Sequence, residues 1–206
     1  MKFKHKEITD SSMKKKLRAF YKLANKLELL HGVNWYVNMR AWIEGVAESY
    51  DIPMYKACGI FAALSPQQSV ELNKALFKQF LRDGNASHYA LLVNKCKDIL
   101  DAPNEYQVCK ILNGNKIRAF YLNILHPDKL TGVTIDRHAV ACVTQTPKRV
   151  EAIPQLSMTD NQYKGFKQVY IDVANEVGLL PQELQAVTWE TYRRLRDLKR
   201  YEHVPF

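Results

Sequence analysis

Hydrophobic residues recur at intervals of three and four along most of this chain, whereas the alternating runs typical of β-strands are few. In the segment 161–177, for example, Thr159 or Asp160 can cap the first turn, and Gly178 follows the last. The segment 55–64 is almost wholly apolar, which predicts a helix buried on most sides. Together, the periodic segments predict helices over 12–30, 35–50, 55–64, 70–81, 89–99, 105–112, 117–124 and 161–177, another opening at Thr134 or Asp136, and a last one from Pro181.

These helices leave little of the chain for a sheet, so the predicted fold class is all-α. The chain has 206 residues, 47% of them apolar, which is enough for a sizeable core. His31 and Gly32 are expected to end the first helix, because glycine is favoured just past a helix C-terminus. Residues 1–11 are rich in lysine, and we expect them to form a weakly structured basic arm.

The chain is basic, since 30 lysines and arginines oppose 21 aspartates and glutamates, giving a formal net charge of +9. Such an excess forms either a solvated face that favours solubility or a surface that binds phosphate groups. The sequence alone leaves both interpretations open. Much of the excess lies near the two ends, at Lys2, Lys4, Lys6, Lys14–Arg18 and Arg193–Arg200.

Neither a membrane anchor nor a metal centre is expected from the sequence. No apolar run is long enough to span a membrane, and the N-terminus lacks the apolar core of a signal peptide. Cys58, Cys96, Cys109 and Cys142 are scattered without the spacing of a zinc site or a disulfide framework. We therefore expect a cytoplasmic protein without metal or cofactor.

The stretch from Ile111 to Val143 holds the residues with the most evident chemistry. Asn113-Gly114-Asn115 predicts a tight turn, because Gly and Asn tolerate positive φ, and the turn leads directly into a helix. Backbone N–H groups at such a helix start form a natural seat for phosphate. Lys116 follows the turn at once, and Asp136 stands about twenty residues further on, in a β-branched run.

This stretch resembles the active-site segment of the helix-hairpin-helix DNA glycosylases, the endonuclease III-like superfamily. Gly114-Asn115-Lys116 matches the family's Gly-x-Lys, and Ile135-Asp136-Arg137-His138 matches its apolar-Asp-x-His run at nearly the family's separation. The family's Leu-Pro-Gly-Val-Gly hairpin is here Ile-Leu-Asn-Gly, with the first glycine missing. This chain has no cysteine after Cys142, so it cannot carry the C-terminal iron–sulfur cluster of many relatives.

A second segment, Ala63 to Ala75, is similar to the Leu-Ser-Ala-Gln…Asn-Lys-Ala segment of the same family, and the two matches stand in the family's order. The resemblance implies that Gln67 enters the DNA stack where the target base has left. The alternative interpretation is a glutamine that caps or shapes the turn.

The resemblance assigns roles to two further residues, each with a structural alternative. Asp136 would stabilise the positive charge that develops on the sugar as the base departs, or activate a nucleophile. Its alternative role is the N-cap of the following helix. Lys116 would be the Schiff-base nucleophile of a bifunctional enzyme, and its alternative role is a phosphate-contacting or solvated lysine. The resemblance also implies DNA contacts from Asn113, Gly114, Asn115, Arg137 and His138, with His138 structural rather than a proton carrier.

The family's architecture implies a two-lobed all-α fold with a central cleft that holds Asp136 and Lys116. Residues 51–132 would form a helical barrel lobe with the hairpin, and residues 1–50 with 133–206 would form the second lobe. The expected function is a monomeric DNA glycosylase with AP-lyase activity that acts on a base flipped from duplex DNA. Two alternatives are a transferase that modifies hypermodified bases, as in virus-encoded relatives acting in the host cytoplasm, and a non-catalytic DNA-binding module.

Overall fold

The computed structural model describes residues 2–3, 6–152 and 157–201, with side chains described for 8–152 and 157–197. At the N-terminus, β1 (Lys2–Phe3) pairs antiparallel with β2 (Lys6–Glu7). This hairpin corrects the prediction of a weakly structured arm over residues 1–11. Lys4 of that predicted basic cluster lies outside the described residues, as do the side chains of residues 198–200.

Apart from that hairpin, the regular structure of the described residues is helical, so the predicted all-α class is confirmed. The helices agree with the periodic segments except in the first forty residues and at some ends. They are α1 (Asp10–Lys22), α2 (Lys26–Val33), α3 (Trp35–Glu48), α4 (Met54–Leu64), α5 (Val70–Asp83), α6 (Ala90–Leu100), α7 (Glu105–Ile111), α8 (Asn115–Leu125), α9 (Arg137–Thr144), α10 (Asp160–Val177) and α11 (Pro181–Tyr201).

The chain divides into two compact units. One consists of Met1–Tyr36 with Asp128–Phe206, and the other is the continuous segment Val37–Pro127. In the continuous unit, α4 is the central helix and packs against α5, α6, α7 and α8. Every residue of α4 from Ala57 to Leu64 is buried, which confirms the prediction drawn from its apolar sequence.

The unit built from the two ends of the chain has a core formed by α1, α9, α10 and α11, and α2 packs along α11. The centre of α9, from Ala139 to Val143, is fully enclosed. Met13, Leu17 and Phe20 supply the buried face of α1. Because α9 is enclosed, its N-terminal residues are held against a rigid support.

The predicted single helix over 12–30 is wrong, because the chain forms two helices there. The backbone N–H of Leu23 ends α1 by donating to Phe20 O, and Asn25 then caps α2. Asn25 accepts from the N–H of Glu28 at 2.9 Å, while the Glu28 carboxylate accepts from the N–H of Asn25 at 2.9 Å. This reciprocal capping box stabilises a helix start that the leucine spacing conceals.

Glu28 also joins α2 to α11. Its carboxylate is 11% exposed and accepts hydrogen bonds from the guanidinium of Arg194 at 2.5 and 3.1 Å. Burial acts to raise the pKa of Glu28, but the hydrogen bonds from Arg194 and from the N–H of Asn25 outweigh it, so the net pKa is lowered. The pair is therefore charged at neutral pH, and its contribution to stability is lost as pH falls through the lowered pKa.

Gly32 does not end a helix, contrary to prediction, but lies inside α2 where that helix touches α11. A Cβ added to Gly32 would lie 2.5 Å from the backbone N and Cα of Val187. Glycine is required here because the two helices approach more closely than a side chain allows.

Candidate nucleic-acid interface

Asp136 is the N-cap of α9 and has extended backbone geometry, with φ −100° and ψ −176°. Its Oδ1 accepts a hydrogen bond from the backbone N–H of Ala139 at 2.7 Å. The structure therefore shows the capping role that the sequence offered as an alternative, while a catalytic role stays a prediction. The two roles are compatible, because the cap uses one carboxylate oxygen and fixes the direction of the other.

The second oxygen of Asp136, Oδ2, lies 2.9 Å from Nδ1 of His138. The carboxylate is 19% exposed and the imidazole 17%, so the pair is sheltered but reachable. No partner for His138 was predicted from the sequence. The Asp-x-His spacing at a helix start was the available signal, since the side chains of an N-cap residue and the residue two positions later can meet. Arg137, between them, is exposed.

Three buried tyrosines contact the residues on either side of Asp136, two of them through the backbone. The hydroxyl of Tyr163 donates to Val133 O at 2.6 Å and accepts from the N–H of Ile135 at 3.4 Å. The hydroxyl of Tyr170 donates to Ala139 O at 3.0 Å. Burial raises the pKa of Tyr163 and that of Tyr170, so both phenols remain neutral donors.

The third tyrosine, Tyr36, contacts the side chain of Thr134, two residues before Asp136. The hydroxyl of Tyr36 donates to Gln185 Oε1 at 3.0 Å, and the hydroxyl oxygen of Tyr36 lies 3.2 Å from Thr134 Oγ1. Thr134 and Gln185 are both buried, so these polar atoms are satisfied inside the protein. The segment leading to Asp136 is thus held by side-chain hydrogen bonds as well as by packing.

The other unit contains the turn between α7 and α8. Gly114 is the N-cap of α8 and has φ +86° and ψ 140°, a conformation that is strained for any residue with a side chain. No side chain caps this helix start. Asn113 and Asn115 are exposed, and Lys116 is half-buried in the first turn. The turn predicted from Asn113-Gly114-Asn115 is confirmed.

Contacts at both ends keep α7 and α8 together. Near the turn, the Nε of Arg118 donates to Cys109 O at 2.8 Å and to Leu112 O at 2.7 Å. At the far end, Nε2 of His126 lies 2.9 Å from Oε1 of Glu105. The role of Arg118 was not predicted from the sequence, although cations are favourable near the last carbonyls of a helix. These contacts fix the position of the turn, and Lys116 lies in the first turn of the helix that follows it.

Gln67 lies at the corner of the turn between α4 and α5. The N–H of Gln68 donates to Ser65 O at 3.2 Å, and Gln67 has φ +65°. The corner position of such a turn favours Gly or Asn, so a glutamine there costs about 1 kcal/mol of backbone strain. The side chain of Gln67 is exposed. Backbone strain of this kind clusters at functional sites of proteins.

The structure thus brings together Asp136, Arg137 and His138 in one unit. In the other unit, residues 113–116 surround the α7–α8 turn and Gln67 forms the α4–α5 turn. Among the described residues, no group of three or more His, Cys, Asp or Glu side chains could hold a metal ion. Over the same residues, no helix has both the length and the apolar character to span a bilayer.

The thiols offer no reactive centre in this region. The four cysteines are free, and Cys58, Cys96 and Cys142 are buried. Burial raises the pKa of Cys58 and that of Cys96 to about 12. A thiol with so high a pKa is a poor nucleophile at neutral pH, so these cysteines act as core residues.

The matching family model covers residues 1–196 and is described as a family of unknown function, DUF7178. The match extends over almost the whole chain, so the protein belongs to this family. Comparisons with curated proteins and with solved structures found no match.

Proposed function

We propose that the protein is a DNA glycosylase with AP-lyase activity that acts on a base flipped from duplex DNA. The observation that carries the proposal is Asp136, a partly exposed carboxylate fixed by Ala139 N–H and by His138. Cleavage of an N-glycosidic bond develops positive charge on the sugar, and a fixed carboxylate stabilises that charge without having to reorganise.

The α7–α8 turn supports the same proposal. Gly114 gives α8 an uncapped first turn, which is suited to a backbone phosphate of DNA. Lys116, two residues after Gly114, would attack the anomeric carbon through its side-chain nitrogen and displace the base. Opening of the sugar ring at the bond between C1′ and O4′ would then give the Schiff base. The imine then promotes β-elimination of the 3′ phosphate, and hydrolysis of the imine returns the lysine.

We propose further that the protein has a helix-hairpin-helix glycosylase-like fold and acts as a monomer in the cytoplasm. The net charge of +9 favours association with duplex DNA, whose phosphates are the complementary partner. We propose direct DNA contacts from Asn113, Asn115, Arg137 and His138.

The lyase step is tested by borohydride trapping on duplexes that carry an abasic site, the substrate that follows base removal. Wild-type protein should form a covalent adduct, and Lys116→Arg should lose at least nine-tenths of it, because a guanidinium forms no Schiff base. Lys110→Arg is the matched control, since Lys110 is an exposed lysine of α7. An adduct that persists in Lys116→Arg would remove this lysine from the mechanism.

Substitutions of Gln67 are expected to weaken base flipping while changing the stability of the protein little. Gln67→Gly removes the strain of a positive φ but adds unfolded-state entropy, so the free energy of unfolding should change by less than about 1 kcal/mol. Gln67→Ala keeps the strain and loses the amide. Both variants should flip a base at least tenfold more weakly, as read from 2-aminopurine fluorescence in a duplex. Full fluorescence in both variants would exclude a wedge role for Gln67.

A further inference from the structure

The exposed face of α11 carries an arginine stacked on a tryptophan beside the Asp136 site. The guanidinium carbon of Arg193 lies 4.6 Å from the ring centroid of Trp189. Trp189 in turn meets the imidazole of His138 at 6.5 Å between centroids, with the rings at 74°. Contacts therefore lead from Arg193 through Trp189 and His138 to the carboxylate of Asp136.

The other two arginines of this stretch of α11 are neutralised by carboxylates. Arg194 is bound to Glu28, and Arg196 lies 2.9 Å from Asp197. Arg193 is exposed, and among the described residues no carboxylate forms an ion pair with it. The same holds for Arg137, which directly follows Asp136. Two cations that form no ion pair with the described part of the chain thus lie on one unit near the proposed catalytic residue.

Stacking determines how Arg193 can bind. A guanidinium held over an indole ring can still direct N–H groups at an oxyanion, and its planar fork matches a phosphate in a bidentate fashion. The conformational entropy lost on binding is smaller because the side chain is already held in place. Aromatic rings and arginines also occur together in proteins that bind single-stranded nucleic acid.

We propose that Arg193, held on Trp189, binds a backbone phosphate of duplex DNA and that Arg137 binds a second phosphate beside Asp136. This inference rests on the proposed function and extends it, because Arg193 is a phosphate contact outside the residues of the family resemblance. The two phosphate contacts hold the DNA strand in register next to the carboxylate of Asp136, without reading base sequence.

The test measures binding to an undamaged duplex at several salt concentrations, so that it does not depend on any excision. Arg193→Met should reduce the slope of log affinity against log salt by about 1, the loss of one phosphate contact. Between 50 and 200 mM salt, a fourfold change, wild-type affinity should therefore fall about fourfold more than that of the variant. Arg193→Lys keeps the charge and should retain the wild-type slope.

Arg82→Met is the matched control, because Arg82 is exposed but is bound to Asp83 at 2.7 Å. It removes the same charge and should leave the slope unchanged. An unchanged slope in Arg193→Met, or an equal loss in Arg82→Met, would overturn the phosphate site while leaving the glycosylase proposal standing. Wild-type protein without salt-dependent binding to duplex DNA would overturn both.

Discussion

Replacing Asp136 by asparagine should reduce base release about 100-fold or more while leaving the fold intact. Asparagine caps a helix as well as aspartate does, so its amide oxygen can still accept from Ala139 N–H. What it lacks is the negative charge that stabilises the developing cation on the sugar, and losing one such interaction costs roughly two to three powers of ten in rate. Single-turnover excision rates and thermal unfolding of the same preparations measure both quantities.

Two further variants separate charge from capping. Asp136→Ala should lose the same activity and, in addition, about 1 kcal/mol of stability, because the cap is lost. Asp101→Asn removes an equal charge from an exposed helix end and should keep wild-type activity. Wild-type rates in Asp136→Asn would reduce Asp136 to a capping residue and would remove the main support for the proposed chemistry.

Replacing Gly32 by alanine should cost about 3 kcal/mol of unfolding free energy, near the upper end of what overpacking costs. The new Cβ would lie 2.5 Å from backbone atoms of Val187, so α2 and α11 would have to move apart. That movement would also disturb the hydrogen bonds between Glu28 and Arg194. Chemical denaturation followed by helical circular dichroism measures the loss.

Gly45 provides the matched control for this substitution. It is also a glycine within a helix, but a Cβ added there meets nothing within 4 Å. Gly45→Ala should therefore stabilise the protein by up to about 1 kcal/mol, since alanine is the better helix former. If the two substitutions change stability equally, close approach of α2 and α11 does not explain the glycine at position 32.

Helices with clear caps were predictable from sequence, and those hidden in a continuous apolar pattern were not. Thr159 and Gly178 bracket α10 in sequence and in structure, with Thr159 in a capping box. Between α1 and α2 the leucine spacing continues across the break, so the cap at Asn25 was overlooked. Gly32 was assigned to a helix end because glycine marks both C-termini and close packing, and only the position of α11 distinguishes them.

The residues of the candidate site could be predicted from the sequence, but their interactions could not. The turn around Gly114 and the cap at Asp136 follow from local sequence. The positive φ of Gln67 does not, because nothing in the residue type favours it. The buried tyrosines that hold the Asp136 segment come from distant parts of the chain, and sequence periodicity gives only their burial.

The division into units also depends on long-range packing. The family resemblance predicts boundaries at 50/51 and 132/133, whereas the structure divides the chain after Tyr36 and after Pro127. Tyr36 belongs with the chain ends through its hydrogen bond to Gln185. Such a bond joins residues 149 positions apart and leaves no local trace in the sequence.

The most direct test of the proposed function is mass spectrometry of DNA treated with wild-type protein and with Asp136→Asn. The substrate is duplex DNA that contains both damaged and hypermodified bases, and both the released fraction and the digested nucleosides are analysed. The glycosylase proposal predicts free base from wild-type protein and none from Asp136→Asn. An altered nucleoside with no free base would instead indicate a base-modifying transferase, and DNA left unchanged by wild-type protein would contradict an enzymatic role.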